Sequence, residues 1–240
     1  MPIPSLSHVP GKLWFVLTAG PALFFVSILF LSVFFGARGV PATHIPERIA
    51  ALAPHILLIV QACLAVLLLA VFANQARVAW QFPELAKASS DIWVGLLIGA
   101  TLGVLHLFAF APLLETLQRT IGDFVPPGEV LPTVSRGIVV FFSANVLLAP
   151  LVEETLYRGI ALPVLSSFLG IPWAVVISCL LFGLLHWAGG FWYMLLTGVV
   201  AGGVLAGLYL WRGGILAPFA AHLALNLVEF FYAWRTKIGA

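Results

Sequence analysis

Three short stretches in the second half of this 240-residue chain carry residue types that could hydrolyse an amide bond. The first is Glu153-Glu154-Thr155-Leu156-Tyr157-Arg158, which follows an apolar run from Val139 to Val152 broken only by Ser143, Asn145 and Pro150. The second is Phe182-Gly183-Leu184-Leu185-His186, and the third is His222-Leu223-Ala224-Leu225-Asn226. Amide hydrolysis needs one group to deprotonate water and another to stabilise the oxyanion that follows. A carboxylate, two imidazoles and an amide supply both.

Helical spacing sorts these groups. Residues four apart share a helix face, whereas neighbours point about 100° apart. Glu154 and Arg158 therefore pair as an i,i+4 ion pair. Glu153 is turned away from that pair and is left free to act as a general base. His222 and Asn226 also share one face, with Pro218 one turn earlier. Each stretch alone has a plainer reading: a charged helix end meeting water, a packing histidine beside an interfacial Trp187, and a polar network between helices. The three together favour chemistry.

These groups need elements to position them, and composition says which. The chain is 62% hydrophobic and 8% charged, against roughly 45–50% and 25% in soluble domains. Spans need about 20 apolar residues. The candidates are Leu13–Gly36, Ala53–Ala73, Ile92–Leu114, Gly137 to about Leu165, Ile171–Trp187, Phe191–Trp211 and Ile215–Trp234. Backbone groups in hydrocarbon must be satisfied within their own segment. The expected fold is thus all-α, a polytopic membrane helix bundle of about seven transmembrane helices forming a single membrane domain. Ionisable residues at mid-bilayer cost about 2.5–3.5 kcal/mol each on insertion scales, so those found there call for a functional reason.

Other features narrow the reading. No basic stripe suits nucleic acid. Cys63 and Cys179 read as two buried thiols rather than a disulfide. The first apolar run is long enough to remain as a span rather than a cleaved leader. Gly95, Gly99 and Gly103, and the pairs Gly198/Gly202 and Gly203/Gly207, are spaced for close helix packing, expected within the chain rather than in a dimer. The Gly122–Arg136 linker carries Pro126-Pro127. Lys12, Arg77, Lys87 and Arg212 fall on one side of the membrane, and Arg38, Arg48, Arg119, Arg136, Arg235 and Lys237 on the other, a weak bias. His106 reads as packing. His8, His44 and His55 read as interfacial, as do Glu229, Trp192 and Tyr193, although the last three could instead border a cavity.

The order Glu-Glu-x-x-x-Arg, Phe-x-x-x-His, His-x-x-x-Asn resembles the CAAX-prenyl-protease-like family of intramembrane proteases, also called the CPBP or abortive-infection family. The resemblance covers roughly Gly137 to Phe230. It implies a catalytic core over 137–230, preceded over 1–136 by transmembrane helices without a recognised motif. It also implies roles. Glu153 would activate water with help from His186, His222 and Asn226 would donate to the oxyanion, and Glu154, Arg158 and Phe182 would support them. The substrate would be a membrane-anchored peptide or protein. The best-known members trim prenylated C-terminal tails, while many relatives act on unrelated peptides. No cofactor is favoured and no obligate partner is expected. The protein would be a multi-pass protein of the cell membrane. Two other readings stand beside this one: a zinc protease using Glu153, His186 and His222, and a non-catalytic scaffold, immunity protein or transporter. One difficulty is depth. These span boundaries put His186 roughly 22 Å deeper than Glu153 and His222, so either Gly159–Gly170 dips into the membrane or the helix from Ile171 starts outside it.

Overall fold

The structure, a computed structural model, describes residues 9–125 and 137–238, the side chains of 236–238 excepted. His8, Pro126, Pro127, Arg136 and the side chain of Lys237 lie outside the described residues. Seven helices follow one another: α1 (Gly11–Ala37), α2 (Ile45–Ala79), α3 (Leu85–Thr120), α4 (Ile138–Leu169), α5 (Ile171–Leu185), α6 (Phe191–Arg212) and α7 (Leu216–Ile238). Among the described residues there is no strand. All but α5 are long and apolar enough to cross a membrane. Phe15, Phe30, Leu97 and Phe108 stay more than 60% exposed, a surface that lipid covers. The chain is an integral, multi-pass membrane protein, and its helices fall where the apolar runs predict.

The depth difficulty disappears because α4 does not end near Leu165. It runs unbroken to Leu169 and turns at Gly170, whose φ of 78° suits glycine. Gly159–Leu169 is helix throughout rather than a re-entrant dip. Glu153 then lies mid-helix, and His186 stands almost equally far from Gly170 on the returning arm, α5. The two reach the same level by the symmetry of a hairpin.

Four π-helical stretches interrupt these helices among the described residues, at 106–110, 142–148, 155–161 and 197–201, and the first three each end two residues before a proline, respectively Pro112, Pro150 and Pro163. Proline lacks the N–H that closes an α turn and its ring crowds the carbonyl four residues back. The backbone answers with a wider turn, a device frequent at functional sites. The second and third of these, both in α4, bracket Glu153 and Glu154. Pro218, by contrast, sits in the first turn of α7, where its missing donor costs little.

α4 and α7 are the most buried spans. α4 packs against α2, α5 and α7, while α3 and α7 form the most extensive helix pair. The expected glycine ladder makes that pair possible. A Cβ at Gly95 or Gly99 would overlap the carbonyl of Ala217 or Ala221, and one at Gly103 would come within 2.9 Å of Val228. Gly198 meets Gly183 across the α5–α6 contact, and Gly202 meets Cys179 and Phe182. Gly203 and Gly207 depart from expectation, since nothing lies within 4 Å of either. Cys63 departs too: it is exposed on the apolar surface, whereas Cys179 is buried.

The turn after α3 is fastened to the start of α6. The Asp123 carboxylate accepts from the backbone N–H groups of Phe124 (2.7 Å), Phe191 (2.8 Å) and Trp192 (3.2 Å), and Trp192 Nε1 donates to the Gly122 carbonyl at 2.9 Å. Burial pushes the Asp123 carboxyl up, but those N–H donors outweigh it and hold it below the ordinary carboxylate range.

One chemical change made at two glycines tests the α3–α7 contact. Gly99→Ala should cost about 1–3 kcal/mol through overpacking. Gly207→Ala should be neutral or gain about 0.5–1 kcal/mol of helix propensity. Thermal denaturation in detergent reads both, and equal effects would refute the backbone contact.

Candidate active site

Glu154 and Arg158 have no solvent exposure and Glu153 is 3% exposed. The predicted i,i+4 pair forms: Arg158 Nη1 donates to Glu154 Oε1 at 2.9 Å. The second guanidinium nitrogen, Nη2, donates to the Gly202 carbonyl at 3.0 Å, which ties α4 to α6. The guanidinium also lies 4.3 Å from the centroid of the Phe182 ring, a cation–π contact from which water is excluded.

Glu154 Oε1 has a second partner, His222 Nδ1 at 2.8 Å, which ties α4 to α7. A carboxylate only accepts, so Nδ1 carries the proton of that bond. Nε2 is left facing Glu153 Oε2 at 4.0 Å. His186 is fixed in the same way. Its Nδ1 lies 2.9 Å from the Phe182 carbonyl, itself only an acceptor, so its Nε2 is also spared. Phe182 sits among these groups, with its ring 5.0 Å from that of His186, 5.8 Å from His222 and 5.4 Å from Tyr157. Its ring lies as an apolar platform between both imidazoles and the buried cation.

Glu153 is oriented from a helix that carries no recognised motif. Gln61 of α2, 1% exposed, donates from Nε2 to Glu153 Oε1 at 2.6 Å. The other oxygen, Oε2, is buried with no hydrogen-bond partner. Asn226 donates from Nδ2 to the Asn145 carbonyl at 2.7 Å. That carbonyl belongs to the first π-helical stretch of α4, where the widened turn leaves it available.

The four candidate catalytic residues, Glu153, His186, His222 and Asn226, line one cavity of about 80 Å³. A larger, mainly apolar groove of about 600 Å³ runs between α1, α2 and α4 and shares Asn145, Glu153, His186 and Tyr193 with it. Two imidazoles with spare Nε2 atoms and a carboxylate are zinc ligands in kind. They are not gathered as a site requires, because among the described residues no group of three or more His, Cys, Asp or Glu side chains is placed to hold a metal ion.

Several participants escape the motif pattern. Gln61 was detectable as the lone amide in the apolar run from Ile56 to Ala73. His106 is not isolated packing and Glu229 is not at the surface: their Nε2 and Oε1 lie 3.6 Å apart, and both residues line the smaller cavity. Tyr193 stands between His106 and His186, its ring 6.2 and 6.0 Å from theirs.

Breaking the ion pair should be costly. Arg158→Ala and Glu154→Ala each leave a buried charge unpaired, worth about 3–5 kcal/mol. The double variant should cost less than the two together. Unfolding in detergent measures the cycle, and strict additivity would mean that the pair does not interact.

Residues 135–228 match the family model described as type II CAAX prenyl endopeptidase Rce1-like. The matched segment holds every residue of the three motifs. No match to the chain was found among curated proteins or among solved structures.

Proposed function

From the match of residues 135–228 to the CAAX-protease-like family model, we propose that this protein is an intramembrane endopeptidase in which Glu153 activates a water molecule against a peptide carbonyl. The observation that carries this reading is the state of Glu153. One oxygen is held by Gln61, while the other is buried, unpartnered and in a cavity lined by both imidazoles and Asn226.

The chemistry follows from which atoms remain free. Glu153 Oε2 and His186 Nε2 are both acceptors. A water donating one hydrogen to each turns its lone pair toward the substrate carbonyl. Glu153 takes a proton as the new C–O bond forms, then passes it to the leaving nitrogen as the C–N bond breaks. Asn226 Nδ2 keeps one N–H beyond its bond to Asn145, and that N–H is the oxyanion donor. His222, on the same face of α7, adds a second donor through Nε2 when that nitrogen carries a proton. The substrate is a membrane-anchored peptide or protein whose apolar anchor lies in the larger groove. The enzyme works in the cell membrane and needs neither a metal nor an obligate partner.

A zinc mechanism is the second reading. It is favoured by the two imidazoles that hold Nδ1 against an oxygen acceptor and present Nε2, as metal ligands do. No step is derived through a metal, because the three side chains do not converge.

The test uses purified protein in lipid nanodiscs. Glu153→Gln keeps the shape and removes the base, so cleavage should be lost while the fold remains. Retention of more than about 5% of activity would overturn the assignment, since the loss of a general base alone typically costs 10²–10⁴-fold. Asn226→Ala should lower kcat by about 10²–10³ and leave KM nearly unchanged. Wild-type activity should survive exhaustive chelation. An active Asn226→Asp enzyme that chelators inactivate would establish the zinc reading instead.

A further inference from the structure

α7 presents more than the two motif residues to the cavity. His222, Asn226 and Glu229 are spaced four and three apart, so they form one line along the helix. All three line the smaller cavity. The Glu229 side chain is 15% exposed and the His106 side chain 20%. Their separation of 3.6 Å exceeds hydrogen-bond reach, so the carboxylate retains its accepting capacity.

The charge inventory of this cavity is lopsided. Its lining includes the carboxyl groups of Glu153 and Glu229 but no Lys or Arg. Arg158, the guanidinium beside the site, spends Nη1 on Glu154 and Nη2 on the Gly202 carbonyl and does not line the cavity. A carboxylate removed from water without a full cationic partner is costly: Glu229 is half-buried with only the His106 imidazole near it, and Glu153 Oε2 in the same cavity is buried without a hydrogen bond. The cavity's own candidates for positive charge are the imidazoles of His106, His186 and His222, so a permanent cation reaches these carboxyl groups only with a ligand.

We propose that Glu229 and His106 form a specificity subsite that takes a basic side chain, Lys or Arg, from the substrate close to the cut bond. The inference rests on the endopeptidase reading above. Glu229 accepts the cationic head, while Leu102 and Phe110 of the same lining cover the aliphatic stem. Asn226 and Glu229 are about 4.5 Å apart along the helix axis, and an extended peptide advances about 3.3 Å per residue. The basic residue therefore sits one or two positions from the carbonyl that Asn226 holds.

The test is a series of synthetic peptides with a fixed apolar anchor, cleaved by the full-length protein in nanodiscs and read by mass spectrometry. A single Lys, or norleucine as its uncharged counterpart, is walked through three positions on either side of the cut bond. The wild type should favour Lys over norleucine at least tenfold in kcat/KM at one position within two residues of that bond. Glu229→Gln should bring that ratio close to one, Glu229→Lys should shift preference to Glu at the same position, and His106→Asn should raise the Lys ratio. A merely structural His106–Glu229 pair would change stability and leave the ratios alone. The subsite is overturned if the wild type cleaves the series without preferring Lys, or if Glu229→Gln keeps the preference. If the wild type cleaves no peptide of the series, the endopeptidase reading fails and the subsite falls with it.

Discussion

A carboxylate and a guanidinium, both wholly buried within a lipid-embedded bundle, are the constraint from which the site is built. Neither Glu154 nor Arg158 has any exposure, so every polar atom on them has to find a partner in another helix or remain unsatisfied. Arg158 finds the Gly202 carbonyl of α6 and the Phe182 face of α5, and Glu154 finds His222 of α7. In satisfying one charge pair, α4 is stitched to three neighbours. The same bonds fix the imidazole of His222 with Nε2 toward Glu153. The pair thus does two things at once: it sets the positions of the helices, and it sets which nitrogen can handle a proton.

The prolines act one level lower. Pro150 and Pro163 each widen the preceding stretch of α4 into π-helix, and the two widened stretches bracket the adjacent carboxylates. Without such turns, helical phase would run unbroken from Ile138 to Leu169. With them, the Asn145 carbonyl is available to anchor the Asn226 amide. The geometry of the site is therefore partly encoded in residues that carry no functional group.

Much of this was legible in the residues alone. The Glu154–Arg158 pairing follows from helical spacing, and the bundle from apolar run lengths. The depth of His186 was not legible, because it depends on where α4 ends, and apolar content falls off only gradually beyond Leu165. Gln61 and the His106–Glu229 pair escaped for another reason. Their meaning lies in which helices touch, and a single polar residue in an apolar run does not name its partner. The Gly95–Gly99–Gly103 ladder did mark α3 as a closely packing helix. Yet the same spacing at Gly203 and Gly207 marks no contact, so small-residue periodicity suggests that packing occurs without saying against what.

The shortness of α5 has a consequence for its neighbours. Fifteen residues rise about 22 Å, against a hydrocarbon layer of about 30 Å. The end that carries His186 runs into a 3-10 turn, Trp187–Gly189, before α6 begins. Irregular backbone in a membrane persists only where protein buries it or water fills the space beside it. The Gly189 and Gly190 N–H groups donate to the carbonyls of His186 and Trp187 within the turn, and Asp123 accepts from the amides of Phe191 and Trp192 just beyond it. A helix too short for its bilayer thereby sets a self-satisfied bend, with Ala188 and Gly189, on the border of the groove that Glu153 also lines.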